Sequence, residues 1–313
     1  MGFTAVMAQM LVLFFIIILG FVARKLDIMS DSFDGTLSRL VLDVTLPCMI
    51  IASVLNAEQA ASPQVVLGVM TYSFIAYAIV LAIALVLPIA MRAPKRDRGI
   101  YSFLLTFSNV GFMGFPILAT IFGQDAILYG AVLNIPFSLL VFTAGVLMIS
   151  KGEGSFKKRL VSNAKHCLSP AVISCIAAMI MALLGVHNLG TIGAAFDAMG
   201  NMTTPAALLI IGSSLAKYSP REMLTNPRSY ITAFTRLLVI PMVLLFALRP
   251  FVSDPLILGV IVILLGMPSA TNGLMLCLRY GGNLKVMTQG VCISTTASIL
   301  TIPCLSVALT LFV

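Results

Sequence analysis

Two hydrophobic stretches of the sequence carry polar and helix-breaking residues of the kind that bind solutes. The first reads SNVGFMGFP at residues 108–116, and the second reads GMPSATNG at residues 266–273. A proline removes one backbone donor from a helix and frees the carbonyl one turn earlier. Freed peptide groups, together with hydroxyl and amide side chains, offer hydrogen-bond donors and acceptors. Both stretches are therefore candidate binding segments.

The composition places these stretches inside a membrane. Of the 313 residues, 60% are hydrophobic and only 10% are charged, and the mean hydropathy is +1.09. A soluble domain carries about a quarter charged residues, so a water-soluble globule is excluded. The six cysteines form no CxxC pair, and the sequence therefore predicts no disulfide framework, no metal site and no cofactor.

Apolar segments of about 20 residues recur along the chain, each bounded by charged or turn residues. The first is too long for a signal-peptide core and is kept as a span. The pattern predicts an all-α membrane protein with ten transmembrane helices. The predicted spans are 4–26, 35–55, 64–91, 98–122, 124–149, 167–186, 190–216, 228–250, 254–279 and 284–312.

The basic residues predict how the chain is oriented. All but two of the 19 Lys and Arg residues lie in alternate loops on one side, and the two exceptions are Arg236 and Arg249. Such asymmetry marks the cytoplasmic side. It predicts a multi-pass protein of the plasma membrane with both termini extracytoplasmic. It also accounts for the net charge of +8 without a nucleic-acid partner.

The spans divide into two sets of five around the basic loop 151–166. Because five is odd, the two sets enter the membrane in opposite senses, which is a recurrent plan of secondary transporters. Aligning Pro47 on Pro205 also pairs Thr45 with Thr203. We therefore predict a 5+5 inverted repeat. The first repeat is 1–155 and the second is 156–313.

The two candidate segments occupy matched places in these repeats, near the middle of spans 4 and 9. Gly and Pro interruptions at corresponding positions indicate the binding site of a transporter. The alternative is that the small residues only let helices pack closely. The candidate substrate-binding residues in the two segments are Ser108, Asn109, Gly111, Pro268, Ser269, Thr271 and Asn272.

The NVGFMGFP motif of span 4 and the MP-x-x-x-N pattern of span 9 resemble the auxin efflux carrier family, which includes bacterial permeases of malate-like acids. The resemblance covers essentially the whole chain. It implies that broken spans 4 and 9 cross, that spans 1, 2, 6 and 7 form a scaffold, and that spans 3–5 and 8–10 form a moving transport domain. Asn109 matches the substrate-contacting asparagine and Pro268 the crossing proline. Ser108 stands where plant members have a proline.

Three ionisable residues lie within predicted spans, namely Asp43, Asp197 and Arg236. Buried ionisable groups in membranes are functional candidates. Arg236 could attract a carboxylate substrate or neutralise an acidic side chain. Asp43 could pair with Arg39 one turn earlier or bind a coupling proton. The coupling-ion candidates, for H⁺ or Na⁺, are Asp43, Asn134 and Asn201.

The sequence favours a carrier over an enzyme or a channel. It contains no HExxH, GxSxG or Walker A motif, so no enzyme of those classes is expected. Channels usually repeat one ring by symmetry, whereas two inequivalent breaks suit alternating access. Half-helix N-termini favour anions. We predict a secondary transporter of small organic anions, carboxylates foremost, working by an elevator-like mechanism in the lipid bilayer. H⁺ coupling, Na⁺ coupling and uniport stay open, as do a homodimer and a channel for small solutes.

Overall fold

The computed structural model describes residues 3–55, 63–150, 170–186, 190–217 and 225–312. Within these ranges the regular structure is helical, apart from one isolated β-bridge. This agrees with the composition, because a helix satisfies the backbone hydrogen bonds of an apolar segment within lipid. The prediction of an all-α membrane protein is confirmed.

The described part of the first half contains eight α-helices. Three of them directly follow short π-helical turns. They are α1 (Phe3–Lys25), α2 (Asp31–Leu40), α3 (Leu46–Leu55), α4 (Pro63–Ala90), α5 (Arg98–Thr106), α6 (Phe115–Phe122), α7 (Asp125–Leu140) and α8 (Val146–Ile149).

The described part of the second half contains eight more α-helices. They are α9 (Pro170–Leu183), α10 (Thr191–Gly200), α11 (Thr203–Leu215), α12 (Pro227–Phe234), α13 (Ile240–Leu248), α14 (Pro255–Leu265), α15 (Asn272–Tyr280) and α16 (Leu284–Phe312).

Six continuous helical segments in the described residues are long and apolar enough to cross a membrane. Three further apolar helices in the described residues are shorter. The six long segments are Asp31–Leu55, Gln64–Ala90, Ala126–Ile149, Thr191–Leu215, Pro227–Leu248 and Leu284–Leu309, and the shorter ones are Val110–Phe122, Pro170–Leu183 and Pro255–Leu265.

The second helix begins four residues before the predicted start of its span. Ser30 caps it, and its side-chain oxygen accepts a hydrogen bond from the Phe33 N–H at 3.3 Å. A serine in this position satisfies one of the free donors at a helix start. The polar turn that the hydropathy pattern assigned to a loop is therefore helical from Asp31.

Mid-span prolines explain most of the π-helical turns. Three of the four turns in the described residues end two positions before a proline, namely Val41–Thr45 before Pro47, Val110–Gly114 before Pro116 and Thr235–Val239 before Pro241. A proline ring clashes with the carbonyl four residues earlier and supplies no N–H. The wider turn relieves the clash, and such turns are frequent at functional sites.

Close helix packing holds α1 against α11, while α3 packs against α9 and α10. A Cβ atom on Gly20 of α1 would overlap the Leu209 carbonyl oxygen, and one on Gly212 of α11 would overlap the Ile17 carbonyl oxygen. Glycine at both positions therefore lets the two backbones approach directly. Further contacts join α4 to α5 and α7, and α7 to α14, and α7 also packs against α3 and α9.

Candidate functional site

The two helix interruptions predicted from the sequence are present and lie against each other. The chain leaves helical geometry between α5 and the Val110–Gly114 turn, and again between α14 and α15. At these breaks an antiparallel bridge joins Ser108 to Ser269. The Asn109 N–H donates to the Pro268 carbonyl at 2.8 Å, and the Ala270 N–H donates to the Phe107 carbonyl at 2.8 Å. Each break thus satisfies part of the backbone hydrogen bonding of the other. We call the place where the two breaks meet the crossing.

The crossing brings four helix ends of opposite polarity to one place. α5 and α14 end there, so both present carbonyl groups, while the Val110–Phe122 segment and α15 begin there. Helix C-termini carry a partial negative charge and N-termini a partial positive charge. The crossing therefore has one pair of ends that suits a cation and another pair that suits an anion.

Arg236 occupies the negative side of the crossing. Its side chain is fully buried. Its Nε donates to the Met267 carbonyl at 3.0 Å, and its Nη1 donates to the Leu105 carbonyl at 2.6 Å and to the Thr106 carbonyl at 3.5 Å. One guanidinium thus binds carbonyls at the ends of both α5 and α14, where the helix dipoles favour a cation.

This position bears on the two roles that the sequence left open for Arg236, a contact with substrate or an ion pair with an acidic side chain. Among the described residues it makes no ion pair with an acidic side chain, and it does not line either cavity at the crossing. In this arrangement it is therefore a positioning residue. Its place as a direct contact of the substrate stays a prediction.

Asn109 is the side chain best placed to face a solute. Its Oδ1 accepts from the Phe112 N–H at 3.3 Å and so caps the segment that begins at Val110. That bond fixes the orientation of the amide group. Its Nδ2 is buried and has no hydrogen-bond partner in the described part of the chain. A free amide donor is therefore held where the chain enters a helix.

Two cavities meet at the crossing. The larger has a volume of about 400 Å³ and extends from Asn109, Thr271 and Asn272 to the charged residues Asp34 and Lys217. The smaller has a volume of about 230 Å³. Both are lined by the same central residues, which are Leu42, Asn109, Phe112, Thr271 and Asn272. A solute in either cavity would contact both broken helices.

Most of the remaining candidate site residues line the smaller cavity. It is lined by Asp43, Ser108, Gly111 and Asn134, in addition to the shared residues. The Asn134 Nδ2 lies 3.5 Å from Cys175 Sγ. No ion pair joins Asp43 to Arg39 within the described ranges. One acid and three amides, those of Asn109, Asn134 and Asn272, thus line one cavity.

Besides Arg236, three candidates are not among the lining residues of either cavity. The Ser269 hydroxyl donates to the Leu104 carbonyl at 2.8 Å, and the Pro268 carbonyl accepts the bond from Asn109. These two residues hold the crossing together. Asn201 is exposed, and its Nδ2 donates to Asp197 Oδ2 at 3.2 Å one turn earlier. Asn201 is not among the described residues that line either cavity, and its part in ion coupling stays a prediction.

Several residues that line the two cavities were not predicted from the sequence. Ser138 lines the smaller cavity, and it lies one helical turn after Asn134, so the spacing of four could have indicated it. Asp31, Asp34 and Lys217 line the larger cavity. The sequence interpretation counted Lys217 toward the topology only and did not consider the two aspartates, because no local pattern joins two segments so distant in the chain.

The comparisons with known proteins agree with this geometry. A family model described as "Membrane transport protein" matches residues 5–306. A protein of Methanothermobacter thermautotrophicus described as an "Uncharacterized transporter" is 24% identical, with 99% of each chain covered. A "Putative malonate transporter" of Rhizobium meliloti is 22% identical, covering 92% of this chain and 91% of the relative. An "Uncharacterized transporter" of Escherichia coli is 21% identical, with 96% of each chain covered.

These matches extend over nearly the whole chain and all concern transporters, not enzymes. They agree with the apolar helices in describing a multi-pass membrane protein. The resemblance to the auxin efflux carrier family is confirmed, and the chain belongs to this family of membrane transport proteins.

Proposed function

We propose that the protein is a secondary transporter of small organic anions, with carboxylates as the chemical class. The observation that carries the proposal is the free amide donor of Asn109, held between two cavities at the crossing of the broken helices. Two helix N-termini beside it favour a negative charge. The relative from Rhizobium meliloti, described as a "Putative malonate transporter", supports the same chemical class.

We further propose that ten helices form a 5+5 inverted repeat. The supporting observation is a contact between the two predicted repeats, where Thr203 Oγ1 donates to Thr45 Oγ1 at 3.0 Å. These two residues are the pair that the Pro47–Pro205 alignment matches. Equivalent residues meet each other when they lie close to the axis that relates two repeats. The two broken helices, which meet at Ser108 and Ser269, fit the same axis.

The packing supports a division into a scaffold and a moving domain. The helices of predicted spans 1, 2, 6 and 7 pack on one another, as α1 does on α11 and α3 on α9 and α10. The crossing packs with the helices of spans 3–5 and 8–10, through contacts such as those of α14 with α7 and α13. We propose that this second group carries the crossing past the scaffold and exposes the site to each side in turn.

The smaller cavity is our proposed place for a coupling cation. Asp43 supplies a carboxylate and Asn134 an amide oxygen, and both line that cavity. Carboxylate and amide oxygens suit H⁺ or Na⁺ better than they suit an anion. Such a cation would sit beside the substrate anion and offset its charge. From the asymmetry of the basic residues, we also propose a plasma-membrane location with both termini extracytoplasmic.

Transport by the purified protein in liposomes tests the proposed function. We expect radiolabelled malonate or malate to enter faster than in protein-free vesicles, to saturate with concentration, and to show counterflow against unlabelled acid. Counterflow arises because a single site carries substrate each time it moves across the membrane, in either direction. If neither acid enters faster than in empty vesicles, the carboxylate proposal fails. An unsaturating ohmic current would instead identify a channel.

A pair of cross-links tests the division into two domains. The Thr45 and Thr203 oxygens are 3.0 Å apart, a separation close enough for a disulfide after substitution of both by cysteine. Since both lie in the proposed scaffold, we expect the oxidised T45C/T203C protein to keep its counterflow.

The matched control joins the scaffold to the moving domain. Leu42 Cδ2 would lie 3.4 Å from a Cβ atom at Gly111, so L42C/G111C is suited to a short bifunctional thiol reagent. Cross-linking this pair should stop counterflow, and reduction should restore it. Loss of counterflow in T45C/T203C, with retention in L42C/G111C, would contradict the proposed domains.

A further inference from the structure

A cluster of four charged residues lies at the mouth of the larger cavity, on the side where the basic loops lie. Lys217 Nζ is 2.8 Å from Asp31 Oδ1 and 3.0 Å from Asp34 Oδ2. Arg24 contacts the same two acids, with Nη2 at 2.8 Å from Asp31 Oδ1 and Nη1 at 3.6 Å from Asp34 Oδ2. The cluster joins the end of α1 and the start of α2 to the residues that follow α11.

The two cations differ in what they face. Lys217 lines the larger cavity together with both aspartates, whereas Arg24 is not among the lining residues of that cavity in the described ranges. The Lys217 side chain is 30% exposed. Lys217 is thus the described cation that an anion entering the cavity would meet first.

The partners of Lys217 can release it without leaving either acid unpaired. Asp31 is 78% exposed and keeps its contact with Arg24, and exposed ion pairs contribute little to stability. Asp34 is buried, but it keeps Arg24 and also accepts a hydrogen bond from the Ser213 hydroxyl at 2.7 Å. An incoming carboxylate could therefore take the place of Asp31 on Lys217 at small cost.

The cluster also retains an unfilled polar position beside the cavity. Asp34 is only 5% exposed, and its Oδ1 is buried without a hydrogen-bond partner in the part of the chain that the structure describes. A carboxylate oxygen is an acceptor. A hydroxyl group of a bound hydroxy acid, or a water molecule carried with the anion, could donate to it.

This position is separate from the crossing. Asp34 and Leu42 both line the larger cavity, and eight residues of helix between them correspond to about 12 Å along the axis. Lys217 contacts Asp34, and the Leu42 side chain lies beside Gly111, two residues after Asn109, so we expect an acid as short as malonate to contact Lys217 and Asn109 in turn and not together. Contact with Lys217 must therefore come before or after binding at the crossing.

We propose that Lys217 forms a separate docking site for carboxylate anions at the mouth of the larger cavity. The carboxylate replaces Asp31 as the partner of the ammonium group, while Arg24 stays in contact with both aspartates. The anion then moves on to Asn109. This assignment rests on the proposed function, and it names a residue that selects negatively charged solutes before they reach the crossing.

Three variants of the full chain in liposomes test the assignment, with the Lys217 side facing the external medium and radiolabelled malonate as the probe. Lys217→Gln should raise KM about tenfold, the effect of one lost charge-assisted hydrogen bond. Asp31→Asn should lower KM about threefold, because it removes the competitor for Lys217. In both variants kcat should stay unchanged.

Lys25→Gln is the matched control, since it removes an equal charge on the same side. Lys25 Nζ donates to the Ala216 carbonyl at 3.2 Å, and Lys25 is not among the described residues that line the larger cavity. Its KM should equal that of the unmodified protein. Equal increases in KM for the Lys25 and Lys217 variants would indicate only a general electrostatic attraction of the anion to this side of the protein, and would overturn the docking site.

Other results separate docking from the alternatives. A change in kcat at constant KM would assign the cluster to a gate and overturn the proposal. A rise in KM for Asp31→Asn would also overturn it, and misfolding cannot imitate the expected fall. If the unmodified protein transports malonate but Lys217→Gln leaves KM unchanged, the proposed function stands and the docking site fails. If the unmodified protein transports no organic acid, both fail.

Discussion

Replacing Arg236 by methionine should lower the thermal unfolding midpoint of the purified protein by roughly 5 °C and should abolish transport. The reason is that one buried guanidinium binds the Met267, Leu105 and Thr106 carbonyls at the two helix ends. Methionine fills similar space but donates nothing. The buried carbonyls lose their partners, and each such loss costs about 1–3 kcal/mol.

One effect partly offsets the cost of these lost hydrogen bonds. Removing a buried charge also removes the cost of taking that charge out of water, so the three losses do not add in full. We therefore expect a net decrease of about 3 kcal/mol in the free energy of unfolding. Arg236→Lys should lower the free energy of unfolding less than Arg236→Met does. Lysine keeps the charge beside the helix C-termini but has no planar guanidinium that could reach both of them.

Arg228→Met provides the matched control, because Arg228 also binds backbone carbonyls near the start of the same span. Its Nε donates to the Met91 carbonyl at 3.2 Å and its Nη2 to the Arg92 carbonyl at 3.3 Å, but its surroundings are partly exposed. Water can replace the lost partner there, so the midpoint should fall far less. Equal shifts in the two variants, measured by thermal unfolding in detergent, would show that Arg236 does not stabilise the crossing specifically.

Replacing Asn109 by serine should weaken carboxylate binding by about 10- to 100-fold while leaving the protein folded. Serine is as good a helix cap as asparagine, so the bond to the Phe112 N–H can persist. The serine hydroxyl is too short to reach the position of the Asn109 amide nitrogen, which has no partner in the described structure. Only the unpartnered amide donor is lost.

The comparison with Asn109→Ala separates binding from stability. Alanine removes both the cap and the donor, so it should lower the unfolding midpoint as well as the affinity, with a cap worth about 1 kcal/mol. Malonate counterflow in liposomes gives the affinity, and thermal unfolding gives the stability. If serine and alanine lower both quantities equally, the role of Asn109 is structural and not one of substrate contact.

Asn201→Ser makes the same chemical change at an amide outside both cavities. Asn201 is exposed and bonded to Asp197 one turn earlier. Counterflow should be unaffected there. A loss equal to that of Asn109→Ser would move the search for the binding site from the crossing to the region of Asn201.

The sequence predicted the structural features that depend on the backbone of a few neighbouring residues. Gly111, Gly114 and Pro116 in one span, and Pro268 in another, predicted interrupted helices, and both interruptions are present. A proline acts through its own ring and its missing N–H, so its effect is local and can be read along the chain. The same applies to the start of α2, where Ser30 could have indicated the helix boundary.

Side-chain partners were less accessible to sequence reasoning. Arg236 was weighed as a ligand for substrate or for an acid, yet it binds carbonyls of residues about 130 and 31 positions away along the chain. Ser269 was expected to face the solute, yet its hydroxyl binds the Leu104 carbonyl. In both cases the partner is a backbone group, and every residue has a carbonyl, so side-chain identity gave no indication of the choice.

By itself, then, the sequence determined that the chain crosses a membrane as helices and where two helices break, and it predicted which basic loops share a side. These properties follow from hydropathy, charge and the covalent limits of proline, all of which act within a few residues. Only the tertiary structure decided which broken ends meet, which donors stay free and that Lys217 faces the same cavity as Asn109. Those outcomes depend on contacts between segments far apart in the chain, where distance in space has no counterpart in distance along the sequence.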